Sequence, residues 1–418
     1  MMTSFTFIDL FSGIGGFHQA MTRLGGKCVL ASEIDPNCIK VYADNYGIDS
    51  NVNIRDIEID DIPAHDVLCA GFPCQAFSKA GKQEGLNDLT RGTLFFEIER
   101  ILRAHKTKYI LLENVRNLVS HDNGNTWKVI QAVLRDIGYR LTKKPLILSP
   151  HQFGIPQIRE RVIIPGVYDP ENVDVPLHFD FGKLLHKNEN DIYTVVDPND
   201  PADEYVITDY ERMVLEAWDE FYQGITLKVI GFPVWSEWFN TKEIPDDFPN
   251  WKKEFVAKNQ QLYLNNKPFI DFWLKKHNYL EAFSPTHTKF EWQCGTNTSS
   301  IMESLIQFRP SGVRVKTPTC FPALVAIVQT PVIGKYQRRI TVREAARLQS
   351  FPDTFRPDAN RQEAFKQFGN SVNVDVIHAV ADQLFNQIDA SMVDYQFRFV
   401  LNSAAREALE RRTSFRID

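Results

Sequence analysis

Three stretches of this chain combine reactive or ligand-binding residues at short intervals. Near the N-terminus, Asp9-Leu10-Phe11-Ser12-Gly13-Ile14-Gly15-Gly16 closes an apolar run and opens a helical one. Glycines there allow a tight turn and let a ligand lie against backbone at a helix N-terminus. Glu33 follows about 20 residues beyond Gly13, the spacing at which doubly wound folds place the acid that binds ribose hydroxyls. Asp56, read near the end of a third strand, could accept a hydrogen bond from an adenine amino group. Together these residues suit an adenosine-containing cofactor, with a nicotinamide dinucleotide and S-adenosylmethionine both open. The second stretch is Ala70-Gly71-Phe72-Pro73-Cys74-Gln75-Ala76-Phe77-Ser78. Proline before Cys74 and polar residues after it set it apart from Cys28, Cys38 and Cys69, which sit inside strand or helix patterns and read as buried and inert. The third joins Glu113, at the end of YILLENV, to Arg159 and Arg161, before VIIPGV. Taken alone, Glu113 could cap a helix and the arginines could form a surface ion pair.

These residues need elements that bring them together. Phe5 to Leu10, Cys28 to Ser32, Val67 to Ala70, Tyr109 to Leu112 and Val162 to Val167 read as buried strands. Helical stretches at Phe17 to Leu24, Asn37 to Asn45, Gly92 to His105 and Thr126 to Ile137 lie between most of them. That alternation predicts βαβ units and an α/β, doubly wound, mostly parallel sheet. Ligands in such sheets bind beyond the carboxyl ends of the strands, which places Cys74 and Glu113 in one crevice with the cofactor. Arg159 and Arg161, two residues apart, read as one face of a strand leading to that crevice. Lys79 to Thr93, with glycines at 81, 85 and 92 and bases at 79, 82 and 91, reads as a basic lid hinged on glycine. The rhythm stops after about residue 170. The acidic, proline-rich TVVDPNDPADE (194–204) reads as a boundary loop, and 205–335 holds six of the seven tryptophans with no βαβ pattern. Helical periodicity resumes after Phe365, with Val372, Val376, Ile377, Val380 and Leu384 on one face.

Composition excludes several classes. With 43% hydrophobic and 24% charged residues among 418, the chain is neither disordered nor fibrous. No apolar run approaches the ~18 residues of a membrane span, and no basic segment precedes an apolar one at the N-terminus. Six cysteines without Cys-x-x-Cys argue against a zinc ribbon, so no metal is expected and the chain reads as reduced and cytoplasmic. The net charge of −6 hides opposed segments. Residues 31–66 carry nine acids against two bases and 171–250 carry 18 against five, whereas 309–347 carries eight bases against Glu344 alone. A net-negative chain can still bind a polyanion if its positive residues share a face.

The ordered series DLFSGIGG, SEID, GFPCQAFS, ENV, QIRER and FGNSV resembles the motif series of DNA (cytosine-5)-methyltransferases, most similar to those of bacterial restriction-modification systems. The resemblance covers roughly 5–168 and 338–386, and RRITVREAARLQSFPD resembles a further motif of the family. It implies S-adenosyl-L-methionine as cofactor, with contacts from Phe11, Gly13, Gly15, Glu33, Ile34, Asp56, Ile57, Asn370 and Ser371. It implies that Cys74 is the nucleophile, that Glu113 serves N3 of the cytosine, that Arg161 holds O2 with Arg159 beside it, and that the target base flips out of the duplex. The 79–93 segment matches the loop that closes over that base, with Ser78, Lys82 and Arg91 toward DNA. The C-terminal helix is expected to return beside the first strand, giving a catalytic domain of 1–174 and 356–418 and a target-recognition domain of 175–355. The family usually carries a Thr-Leu pair before its last motifs; the nearest match here is Ala323-Leu324. Phosphate contacts are expected from Arg309, Arg314, Lys316, Arg338 and Arg339, with the acidic 171–250 facing away. The implied protein is a nucleoid-associated monomer acting on double-stranded DNA beside a cognate restriction endonuclease. A tRNA cytosine-5 methyltransferase shares these motifs on a shorter chain. A dinucleotide oxidoreductase would explain Glu33 but not Pro73-Cys74-Gln75, and a non-catalytic DNA-binding regulator has no need of Cys74, Glu113 and Arg161.

Overall fold

The computed structural model describes residues 4–73, 94–182, 184–185, 190–200, 203–324 and 330–387. The chain divides into two compact units, one of 1–149, 160–185 and 371–418, the other of 150–159 and 186–370.

In the first unit, β1 (Phe5–Leu10), α1 (Gly16–Arg23), β2 (Gly26–Ser32), α2 (Pro36–Tyr46), β3 (Val67–Gly71), α3 (Leu94–His105), β4 (Tyr109–Val115) and α4 (Asn125–Ile137) alternate as the periodicity predicts. β1 pairs in parallel with β2 and β3, and β3 with β4. Short strands β5 (Tyr139–Leu141) and β6 (Leu146–Leu148) follow; then, beyond β7 (Gln157–Ile158), which belongs to the second unit, comes β8 (Arg161–Tyr168). β8 runs antiparallel to β4, β5 and β6, so the sheet is parallel only over its first four strands. Local chemistry sets the helix bounds. Asp35 caps α2 by accepting the Asn37 amide at 2.9 Å, Pro36 occupies the first turn, and Gly47 ends the helix in the left-handed region. α4 buries Trp127, Ile130, Leu134 and Ile137, a 3.6-residue stripe, against the sheet core of Leu68, Ile110, Leu112 and Val162.

The second unit contains α5 (Asp209–Gly224), β9 (Val234–Trp235), α6 (Asn250–Asn265), α7 (Lys267–Lys276), β10 (Lys289–Gln293), β11 (Leu305–Arg309), β12 (Gly312–Lys316), β13 (Phe321–Pro322), β14 (Val332–Ile333), β15 (Arg338–Arg339), α8 (Val342–Leu348) and α9 (Arg361–Asn370). Its main sheet runs β15-β14-β11-β12-β10-β9, antiparallel except for β10 with β12. The tryptophans concentrated here build its core: Trp218 stacks on Phe290 at 4.9 Å, and Trp273 lies 5.3 Å from Trp218.

The chain then returns to the first unit as α10 (Val374–Phe385), capped by Asn373. Phe385 lies 5.0 Å from Phe5 and from Tyr109, and α10 packs on α1, so the C-terminal helix sits beside the first strand. The unit boundaries differ from those drawn on sequence at 174/175 and 355/356. Residues 150–159 join the second unit because β7 pairs with β13 and His151 O accepts Asn190 Nδ2 at 3.0 Å. Residues 356–370 join it because Phe368 packs with Phe351 and Phe355.

Candidate active site

The turn after β1 is built from left-handed backbone, with φ 54° at Phe11, 53° at Gly13 and 84° at Gly15. Glu33, at the end of β2, holds this turn. Its Oε2 accepts the Gly13 amide at 2.8 Å, while Oε1 accepts the amides of Ile34 and Asp35 at 2.8 and 2.9 Å. The glycines divide the work. A Cβ on Gly13 would meet nothing within 4 Å among the described residues, whereas one on Gly16 would come within 2.7 Å of Ser371 Oγ. The turn is therefore open at Gly13 and packed at Gly16, where Ser371 joins it. Ile34 is 71% exposed, an apolar surface next to a carboxylate, and Ser12 Oγ is buried with no hydrogen-bond partner among the described residues. A backbone amide turn, an acid, an apolar face and an unsatisfied hydroxyl fit an adenosine-bearing ligand.

Asp56 does not lie in a strand. Residues Ile54–Asp56 form a 3₁₀ turn capped by Asn53, whose side chain accepts the Arg55 amide at 3.2 Å. Ile54 and Ile57 are buried on either side, which turns Arg55 and Asp56 outward. Asn370 is the exposed last residue of α9 in the second unit, whereas Ser371 begins the first unit's C-terminal piece.

The second focus lies at the ends of β3, β4 and β8. Register places Glu113 opposite Gly71 on one side and Ile163 on the other, and Val115 opposite Arg161. Arg161 Nε lies 3.1 Å from Glu113 Oε1, an ion pair in which both side chains are largely covered. Asn114, which the sequence reading did not single out, donates from Nδ2 to Phe72 O at 2.7 Å. It thereby anchors the exit from β3, just before Cys74. A polar residue between Glu113 and the end of a buried strand was the available signal. Cys74, Ser78, Lys82 and Arg91 lie outside the described residues. The other cysteines make poor nucleophiles where a shift is resolved. Burial, with a smaller push from Asp9, raises Cys28 to about 12; burial also raises Cys69 and Cys294, and Cys320 to about 11.

Arg159 departs from expectation. β7 ends at Ile158 and β8 begins at Arg161, so no continuous strand aligns the two arginines. Arg159 is buried in the second unit, donating to Leu324 O at 3.0 Å and Gly369 O at 2.7 Å. Two of the five cations expected at phosphates, Arg338 and Arg339, have acidic partners in the second unit. Arg338 is buried and grips Glu344 with both Nη atoms, at 2.9 and 2.7 Å, while also reaching Asp197 O at 2.9 Å. Arg339 pairs with Glu211 at 2.5 Å, Arg343 donates to Phe355 O at 2.8 Å, and Arg347 pairs with Asp353 at 2.8 Å. These four arginines brace their own unit. Arg309, Arg314 and Lys316 form a smaller cluster on β11 and β12, with Arg314 bonded to Glu291 at 2.7 Å. Burial first, then Arg314 and Arg309, depress the Lys316 ammonium below its usual range.

The chain matches the family of C-5 cytosine-specific DNA methylases over residues 5–386. It is 36% identical to the type II methyltransferase M.HgiCI of Herpetosiphon aurantiacus, covering 92% of this chain and 98% of that one. It is 31% identical to M.AluI of Cellulosimicrobium cellulans, over 90% of this chain and 91% of that one. In fold it is similar to a crystal structure of mutant Spodoptera frugiperda DNMT2, with a TM-score of 0.50 at 19% identity, covering 91% of this chain and 99% of that one. With a glycine turn held by Glu33, an Arg161–Glu113 pair at the strand ends and a family match across most of its length, this chain belongs to the C-5 cytosine-specific DNA methylases and is a DNA (cytosine-5-)-methyltransferase.

Proposed function

We propose that this protein methylates C5 of one cytosine within a specific double-stranded DNA sequence, through a covalent bond from Cys74 to C6 of a flipped-out base, and so protects DNA from a cognate restriction endonuclease. The observation that carries this reading is the Arg161–Glu113 pair at 3.1 Å, which joins β8 to β4, the strand beside the β3 strand that precedes Cys74. Cytosine C5 is a weak nucleophile; a thiolate adding to C6 makes it an enamine carbon. That addition pushes electron density onto N3 and O2. Glu113 hydrogen-bonds or protonates N3, and Arg161 holds O2, in a setting where a fixed charge stabilises more than water would. Bound S-adenosyl-L-methionine supplies an electrophilic methyl group for C5. A base then takes the C5 proton, the double bond re-forms and the Cys74–C6 bond breaks. Phe11, Gly13, Glu33, Ile34, Asp56 and Ile57 would hold the cofactor in the first unit, and the second unit would read the DNA sequence. Flipping the base costs roughly a few kcal/mol, which protein contacts must offset.

The test is a duplex carrying 5-fluorocytosine at the target position, since fluorine blocks the last elimination. We expect an adduct at Cys74 that Cys74→Ala abolishes while cofactor and DNA binding survive. An adduct at Cys69, no adduct at all, or methylation of tRNA alone would overturn the reading. Bisulfite sequencing of DNA from expressing cells identifies the target sequence.

A further inference from the structure

We propose that Tyr46 is a positioning residue for the cofactor turn, bracing it at Ile14 as Glu33 braces it at Gly13. The inference rests on the reading that this turn binds S-adenosyl-L-methionine. Three of the five residues from Phe11 to Gly15 have left-handed backbone, a conformation that costs free energy at Phe11 and needs external ties to persist. Two such ties come from residues that bracket α2: Glu33, just after β2, and Tyr46, the last residue of the helix. Ahead of the helix, Glu33 takes the Gly13 amide at 2.8 Å and is itself fastened by the amide of Asp35, the α2 N-cap. In its last turn, the Tyr46 hydroxyl donates to Ile14 O at 3.0 Å, lies 3.3 Å from Gly15 O, and accepts from Gln19 Nε2 at 3.2 Å.

The ring of Tyr46 does a second job. A Cβ on Gly15 would fall 2.4 Å from its Cε2, so the ring fills the space beside the turn and leaves only glycine compatible there. The ring is fixed in turn by stacking on His18 at 3.9 Å and by an edge contact from Tyr42 at 4.7 Å. The Gly13 amide and the Ile14 carbonyl, on adjacent residues, are thus gripped by Glu33 before α2 and by Tyr46 at its end. A buried carbonyl that loses its donor pulls the backbone toward another partner, and that movement would begin one residue from the open face of Gly13. Glu33 belongs to the binding set; Tyr46 acts through the turn and does not touch the ligand's place at Gly13.

Tyr46→Phe tests this because it keeps the ring and its stacking. Equilibrium dialysis of the full-length protein with S-adenosyl-L-methionine, without DNA, should show affinity about fivefold to tenfold weaker than wild type, the range expected for one lost hydrogen bond to a binding turn. Amide hydrogen exchange at Gly13 and Gly15 in ligand-free protein should quicken. The KM for cofactor should rise while kcat at saturation and the KM for DNA stay within about twofold, with the melting temperature little changed. Equal affinity in wild type and Tyr46→Phe would overturn the inference. So would a parallel fall in kcat, DNA affinity and melting temperature, which would mark Tyr46 as a general packing residue. If wild type itself binds no S-adenosyl-L-methionine, the functional reading fails first, and the dialysis distinguishes the two failures.

Discussion

Arg159 and Arg161 stand two residues apart in one motif, yet their guanidinium groups serve different compact units. Arg161 lies 3.1 Å from the Glu113 carboxylate at the ends of β4 and β8, whereas Arg159 donates to the carbonyls of Leu324 and Gly369, both in the second unit. One arginine faces a carboxylate suited to chemistry. The other satisfies backbone that would be buried without a donor.

That difference predicts separable phenotypes. Arg159→Ala strands two acceptors, at about 1–3 kcal/mol each, and should lower the melting temperature by several degrees with kcat of the folded fraction largely kept. Arg161→Ala should lower kcat by about a hundredfold or more with cofactor affinity unchanged. Calorimetry beside steady-state kinetics checks both; a kinetic defect without a thermal one in Arg159→Ala would place it in the chemistry.

Glu33→Gln keeps the volume but offers one acceptor oxygen and an amine where three backbone amides now bond to a carboxylate. Charge-assisted bonds of this kind are worth about 1.5–3 kcal/mol, so cofactor affinity should fall by tenfold or more in equilibrium dialysis. An unchanged affinity would remove Glu33 from the binding set.

Arg338 and Arg314 should part company in a salt titration. Removing Arg338 leaves Glu344 buried without its partner, a loss of about 3–5 kcal/mol in stability, while the salt dependence of DNA binding stays as in wild type. Arg314→Ala should instead reduce that slope by about one charge. The measurement is log Kd against log salt for both variants, with melting temperatures alongside.

His18 predicts a pH effect on stability. Burial lowers its imidazole from 6.5 to about 4, so the folded state holds fewer protons than the unfolded state between those values. Stability tied to His18 is complete above pH 6.5 and is lost as pH falls through 4, up to about 3 kcal/mol. Asp9, raised by burial, contributes with opposite sign, losing stability as pH rises through its folded value. His18→Gln should therefore flatten the fall in melting temperature between pH 6.5 and 4; an unchanged profile would show that His18 is charged or exposed in the fold.

Much of the first unit was legible because its signals are local. Period-two and 3.6-residue patterns, Asp35 before Pro36, and glycines at the first turn locate β1 to β4 and α1 to α4 to within a few residues. Asp56 was misplaced because a 3₁₀ turn flanked by Ile54 and Ile57 mimics the end of a strand in an apolar count. The antiparallel direction of β8 was not legible, since a buried run of valine and isoleucine reads the same in both directions.

The family, the doubly wound class, the glycine turn with its acid and the candidate residues Cys74, Glu113 and Arg161 were legible along the chain, because each depends on residue type and short spacing. Which charges have partners depends on how distant segments fold together. Arg339 meets Glu211 and Arg159 meets Gly369 across more than a hundred residues of chain, so a count of bases over 309–347 could not separate cations that brace a fold from those that face solvent. The same holds for Tyr46, whose hydroxyl reaches the glycine turn only because β2 and α2 fold back against β1 and α1.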